Sequence, residues 1–276
     1  MQCKKALCAE GIEYDIEKAT LWLRKNGSAK AVSKVSGRDA SEGMIGICLN
    51  ECRASMVKVS SETDFSSRSS SFLDLVELAG SAALSGSASG TLDTKSLLTA
   101  KTGDSGYTLK DEIDRTILAI RENVFIREAC VVSSGDDTVL STYVHGKVSE
   151  NTGTSAAIVR VGRTNSSPEA TKERMEEVGR KLAMHIVAAG PIYLSPSVVP
   201  DDVINKEKEI LINQMQDSGK PANIIEKIVE GRIRKFYESI CLTEQVHMVE
   251  EGQPKVSKFL GELGIEIQTF ERYSIQ

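Results

Sequence analysis

A chain of 276 residues with 40% hydrophobic and 26% charged side chains holds enough material for one large or two small domains around a sizeable core. A net charge of −5 and an aromatic content of 5% disfavour nucleic acid as a direct partner, because neutralising phosphates needs a basic surface and stacking bases needs aromatic platforms. No stretch approaches the ~18 apolar residues of a membrane span, and six cysteines without a disulfide-scaffold rhythm point to a reducing compartment.

In chain order, residues 3–10 and 15–26 read as two short helices, with Asp15 as N-cap, Ile16, Ala19, Thr20 and Leu23 on one face, and Gly27 as the stop. Two such helices cannot bury a core alone, so a further helix is expected ahead of Met1. Residues 28–42 are small and polar and read as a linker. "GMIGICLN" and "SMVKVSS" flank "ECRA" as an antiparallel hairpin. A helix is expected from Ser69 to Leu84, with Phe72, Leu75, Val76, Ala79 and Ala83 on one stripe, followed by the flexible tip "SGSASG". "TLKD" reads as a capping box opening a helix to Arg121, and "VFIREACVV" as a strand. "TVLSTYVHG" and "AAIVRVG" form a second hairpin around the polar loop "KVSENTGTS". A helix over 168–189 follows, with Met175, Val178, Leu182 and Ile186 in register. Residues 201–238 read as two antiparallel helices around "DSGKP", carrying Ile204, Ile210, Leu211 and Met215 on one arm and Ile224, Ile225, Ile228, Val229 and Phe236 on the other. A short helix at 255–263 and the strand "IEIQTFERY" close the chain. Helices and antiparallel hairpins in separate runs define an α+β protein.

Motifs for chemistry are sparse. "GDSG" at 103–106 is the tetrapeptide around a nucleophilic serine in trypsin-like proteases, yet none of His145, His185 and His247 has the flanking context of that chemistry. No phosphate-binding glycine loop occurs, so no nucleotide cofactor is expected. Cys48 and Cys52 have no second pair or flanking histidine to complete a zinc site, so no metal is expected either. His185 reads as a packed or capped imidazole. The remaining anomaly is "SSETDFSSRSSSF", which sets Phe65 among serines and charges. Thr63 or Asp64 caps a helix start there, and Phe65 is either a core residue behind the cap or an anchor held out for a partner's pocket.

"SSETDFSSRS" resembles the T-D-F-V-x-[RK]-[ND] signature of the elongation factor Ts family, nucleotide exchange factors of bacterial-type translation. "MQCKKALCAEGIEYDIEKATLWLRKNG" is similar to that family's N-terminal ubiquitin-associated-like module. "TILAIRENVFIREACVV", "TYVHG", "RKLAMHIVAAGPIYL" and "SGKPANIIEKIVEGRIRKFYESICLTEQ" resemble its later segments, in the family's order. The resemblance implies a non-enzymatic factor that binds the GTPase elongation factor Tu and promotes GDP release. By motif, Asp64 and Phe65 enter the GTPase near its magnesium site, Thr63 shapes the turn, and Met1, Lys4 and Lys5 of the N-terminal module contact the GTPase domain. Ser66 and Ser69 depart from the signature's valine and asparagine-like positions, and insertions are expected at 85–107 and 149–154.

The expected organisation is therefore a ubiquitin-associated-like module at 1–27 lacking its first helix, a linker at 28–42, a first core subdomain at 43–138, and a second at 139–276 bearing a helical-hairpin insertion at 201–238. Self-association through the helical arm is a further expectation, because the arm carries more apolar residues than a two-helix pair buries. A scaffold without exchange activity is the alternative function. The serine-rich insertions point to the mitochondrial matrix, with a bacterial cytoplasm or a plastid as alternatives.

Overall fold

The computed structural model describes residues 2–9, 11–19, 22, 32–103, 106–164, 170–215 and 221–275. Its elements are α1 (Gln2–Leu7), β1 (Glu42–Leu49), β2 (Arg53–Ser61), α2 (Asp64–Ser67), α3 (Ser70–Ser85), β3 (Gly90–Thr91), α4 (Thr94–Leu97), α5 (Leu109–Ile120), β4 (Phe125–Ser133), β5 (Thr138–His145), β6 (Thr152–Gly153), β7 (Ser155–Arg163), α6 (Lys172–Ala189), α7 (Asp201–Asn213), α8 (Ala222–Ile240), α9 (Val256–Leu263) and β8 (Ile265–Ser274). The α+β class expected from the sequence is the one observed.

The chain forms two compact units, one of Met1–Ser133, Val144–Ala156 and Tyr273–Gln276, the other of Ser134–Tyr143 and Ala157–Arg272. The sequence places everything after 138 in the second part. Residues 144–156 group with the first unit instead, because Thr152 and Gly153 pair with Gly46 and Ile45 of β1 and the Ile47 N–H donates to Asn151 (2.9 Å). What reads as a polar loop is thus partly a strand.

The first unit holds a five-stranded antiparallel sheet in the order β3-β4-β2-β1-β6. The stripe Phe72, Leu75, Val76 and Ala79 of α3 packs with Val57 and Val59 of β2 and with Leu109, Ile113 and Ile117 of α5. The approach of α3 is close enough that a Cβ on Gly46 would stand 2.5 Å from the Val76 side chain. The β2–β4 register shifts between Lys58 and Val59, leaving Arg127 as an extra residue on β4. Its guanidinium donates to the Ser60 hydroxyl (3.1 Å) and the Ala40 carbonyl (2.8 Å).

Several local expectations change. The end of the expected linker is anchored, since Val35 is buried in the first core and Asn123 Nδ2 donates to the Arg38 carbonyl (2.7 Å). The expected flexible tip is held as well: Arg53 donates to the carbonyls of Leu84, Gly86 and Ala88, and Gly90–Thr91 pairs with β4. In the N-terminal module Asp15 caps as expected, accepting from the Lys18 N–H (3.0 Å), and Ala19 is buried with Ala6 and Ile12. Ile16, expected on the same face, is exposed. Met1, Thr20, Leu23, Gly27, Asp104, Ser105 and most of the "DSGKP" turn lie outside the described residues.

In the second unit a three-stranded sheet has the order β5-β7-β8. Val178, Leu182 and Ile186 of α6 pack with Val159 and Val161 of β7 and with Val256 and Leu260 of α9. The paired helices α7 and α8 share a small core of Leu211, Val229 and Ile233. His185 of α6 and His247 form a pair of buried histidines with rings 5.1 Å apart. The Met248 N–H donates to His185 Nδ1 (3.2 Å), so the proton of His185 sits on Nε2, facing the Gln245 side-chain oxygen (3.1 Å). His247 Nδ1 accepts from the Val249 and Glu250 N–H groups (both 3.2 Å), while its Nε2 is buried without a hydrogen-bond partner among the described residues.

Burial, followed by repulsion from His185, pulls the His247 pKa from 6.5 down to about 4. The unfolded chain therefore takes up the proton first as pH falls. The stabilisation from this neutral ring is complete above pH ~6.5 and is lost progressively toward pH ~4, by up to roughly 3 kcal/mol. Thermal melts should show stability declining across that window for the native chain, and a shallower decline for His247→Phe.

Candidate protein-interaction site

The stretch after β2 resolves the anomaly of a phenylalanine among serines. Thr63 is extended (φ −127°, ψ 154°) and its hydroxyl accepts the Ser66 N–H (3.2 Å), making it the N-cap of the one-turn helix α2. The serines close the turn around it. Ser61 Oγ donates to the Thr63 carbonyl (3.1 Å), the buried Ser67 hydroxyl to the Asp64 carbonyl (2.8 Å), and Ser69 Oγ to the Ser66 carbonyl (2.7 Å). These hydroxyls reinforce a turn in which the Thr63, Phe65 and Ser66 carbonyls also accept the Ser67, Arg68 and Ser69 N–H groups.

Phe65 projects from this turn and is 88% exposed. Of the two readings open at the level of sequence, the core phenylalanine is excluded and the outward side chain is observed. Asp64 beside it is also exposed. Thr63, Asp64 and Phe65 thus form one contiguous knob. Lys4 and Lys5 are exposed on α1, whose apolar residues make a cluster of their own around Ala6, Ile12 and Ala19, separate from the core below the knob.

Four residues that the sequence did not single out tie the knob to the body. The Glu122 carboxylate accepts from the Thr63 N–H (3.0 Å) and the Thr63 hydroxyl (2.8 Å). Glu62 in turn accepts the Asn123 N–H (2.7 Å) and pairs with Arg38 at 3.6 Å. Burial acts to raise the Glu122 carboxyl, but hydrogen bonds from Ser66, Thr63 and Glu62 outweigh it and hold the group below the usual carboxylate range. Ser66, a departure from the signature, therefore joins the network. The only trace of this arrangement in the sequence is that Glu122 and Asn123 fall inside the quoted stretch "TILAIRENVFIREACVV"; no spacing rule connects them to residues 62 and 63.

Among the described residues no group of three or more histidine, cysteine or acidic side chains is arranged to hold a metal ion. The Cys48 thiol is pushed up by burial and lies 3.7 Å from the Ser81 hydroxyl, which ties it into the packing of α3.

A family model described as Elongation factor TS matches residues 62–276 and so begins at the foot of the knob. The chain belongs to the elongation factor Ts family. The Elongation factor Ts of Paramagnetospirillum magneticum is 39% identical over 269 residues, spanning 97% of this chain and 81% of that protein. That of Rhizobium leguminosarum bv. trifolii is 40% identical over 249 residues, spanning 90% and 77%. That of Gluconobacter oxydans is 37% identical over 276 residues, spanning 100% and 86%, so its likeness includes the N-terminal module that the family model leaves out. These three relatives are bacterial proteins, and no described helix is long and apolar enough to cross a membrane.

An exposed Phe65 contributes nothing to the core, so Phe65→Ala should change folding stability by less than ~0.5 kcal/mol. Thr63→Ala should cost about 1 kcal/mol for the lost cap. Phe72→Ala, at a fully buried position of α3, should cost roughly 3–5 kcal/mol. Denaturant titrations of the three variants check this order.

Proposed function

We propose that this chain binds elongation factor Tu and accelerates its release of GDP, with Asp64 and Phe65 as the inserted wedge. The observation that carries this reading is the 88% exposure of Phe65 on a turn whose backbone is closed by hydrogen bonds. An exposed aromatic ring on a turn fixed in this way has the form of an anchor for a partner's pocket. The factor makes and breaks no covalent bond in this scheme. It binds the GTPase better without GDP than with it, and by linkage weakens GDP to the same extent.

Magnitudes set the rest of the design. Shifting a 1:99 equilibrium to 99:1 takes about 5.5 kcal/mol of differential binding, whereas one buried phenylalanine supplies about 2 kcal/mol. Further contacts are required, and we assign them to Lys4 and Lys5 of α1, Met1 ahead of it, and the helical arm. The arm leaves Ile210, Ile212 and Ile224 exposed while burying Leu211, Val229 and Ile233, which equally suits a second copy of the chain. Setting is inferred from the relatives: bacterial-type translation, in a bacterial cytoplasm or in an organelle of that ancestry such as the mitochondrion.

Loss of a fluorescent GDP analogue from a matched elongation factor Tu should accelerate with substoichiometric protein. Phe65→Ala should slow that acceleration roughly 30-fold, the equivalent of ~2 kcal/mol, with binding to the GTPase weakened but retained. Release that stays at its spontaneous rate while the two proteins co-sediment would favour the scaffold reading instead.

Replacing residues 205–234 by a short linker should leave the helical circular dichroism of the remainder in place and part of the exchange activity. Sedimentation of the intact chain over a concentration series, beside the deletion, decides whether the arm also joins two copies. A mass that doubles only when the arm is present would establish that role.

A further inference from the structure

We infer that Glu122 is a positioning residue for nucleotide exchange: it fixes the turn that presents Phe65 and so sets the fraction of molecules ready to engage the GTPase. The inference rests on the exchange-factor reading above. A four-residue helix does not hold itself in water, since isolated helices shorter than ~12 residues are marginal, and with the Phe65 ring exposed the small Ser67 is the one buried side chain of α2. Fixity has to come from elsewhere.

Glu122 supplies it with both carboxylate oxygens on one residue, Oε2 taking the Thr63 N–H and Oε1 the Thr63 hydroxyl. A hydroxyl has a single proton. Once that proton is given to Glu122, the oxygen turns its lone pairs toward the Ser66 N–H at 3.2 Å, which is the capping bond of α2. The carboxylate thus orients the cap through Thr63. The platform beneath Glu122 is rigid: α5 ends at Arg121 in a left-handed conformation (φ 63°) with its N–H on the Ile117 carbonyl at 2.8 Å, and Ile117 and Val124 on either side are buried. Glu62 completes a reciprocal tie by taking the Asn123 N–H at 2.7 Å. Each of the two segments gives a carboxylate to the other's backbone.

If only a fraction of molecules holds the competent turn, the apparent affinity falls by that fraction. A residue acting this way has a smaller effect once Phe65 is gone, since only Asp64 of the wedge is left to position, which separates positioning from general stability. The test combines Glu122→Ala and the isosteric Glu122→Gln with Phe65→Ala in a double-mutant cycle, and adds amide hydrogen exchange of residues 63–69 in the free protein. If freeing the turn in Glu122→Ala lowers the competent fraction to about one tenth, stimulated GDP release should slow about tenfold. Glu122→Gln, with one carbonyl oxygen left to accept, should fall between. Both substitutions should slow release less in the Phe65→Ala background than in the native chain, and amide protection should drop at Ser66 while the β2 and β4 amides keep theirs. Unchanged protection of residues 63–69, or an equal loss of rate with and without Phe65, would overturn the inference. If Glu122→Ala fails to fold, Glu122→Gln carries both measurements. If the native chain does not stimulate release at all, the exchange reading falls and this role with it; that failure is distinguished by an amide pattern that still responds to Glu122.

Discussion

Leaving a phenylalanine in water forgoes roughly 2 kcal/mol of burial, and a chain will recover that energy by turning the ring inward unless its backbone forbids it. The rest of the first unit can be understood as the means of forbidding it. The end of β2 and the start of β4 are adjacent only because the sheet pairs Ser60 with Phe125 across 65 positions of sequence. The irregularity at Arg127 turns that guanidinium onto Ser60 and Ala40, and just beyond it Glu62 and Thr63 meet Glu122 and Asn123. Long-range strand pairing, rather than the local helix propensity of "DFSS", determines where the ring points.

The same logic explains why the core under the turn is packed so closely. A turn keeps its direction only if its base does not yield, and well-packed interiors have low compressibility. The contact of α3 with β1 at Gly46 and the interlocking of Phe72, Leu75 and Val76 with the sheet supply such a base. The serines of the turn are part of this scheme. Small hydroxyls reach their own backbone carbonyls without adding side-chain bulk that would bury the ring.

What could be read in the sequence follows the range of the interactions concerned. The 3.6-residue stripes of α3 and α6, the capping box at Thr108, the Asp15 cap and the two hairpins all depend on near neighbours, and all are found where the pattern puts them. The outward direction of Phe65 was not decided by spacing, since a cap followed by a core phenylalanine has the same pattern. Glu122, Arg53 and Arg127 stayed hidden for the same reason. Each acts on backbone far away in sequence, and nothing about a single charged residue reveals which distant carbonyl or N–H it will meet. Thr152 and Gly153 carry the pattern of a loop, because two residues are too few to show alternation, though pairing with β1 is what makes them a strand.

Those two residues have a bearing on how the folded sheet meets other extended chains. A sheet edge is a row of unpaired donors and acceptors that any other extended chain can join. Here the outermost strands are Gly90–Thr91 on one side and Thr152–Gly153 on the other, each offering a template two residues long. Gly153 allows the closing strand to lie flat, since a Cβ there would come within 2.4 Å of the His145 carbonyl. At these two strands of the five-stranded sheet a neighbouring chain thus meets only a two-residue template, set over Ile45–Gly46 of β1 and Cys130–Val131 of β4.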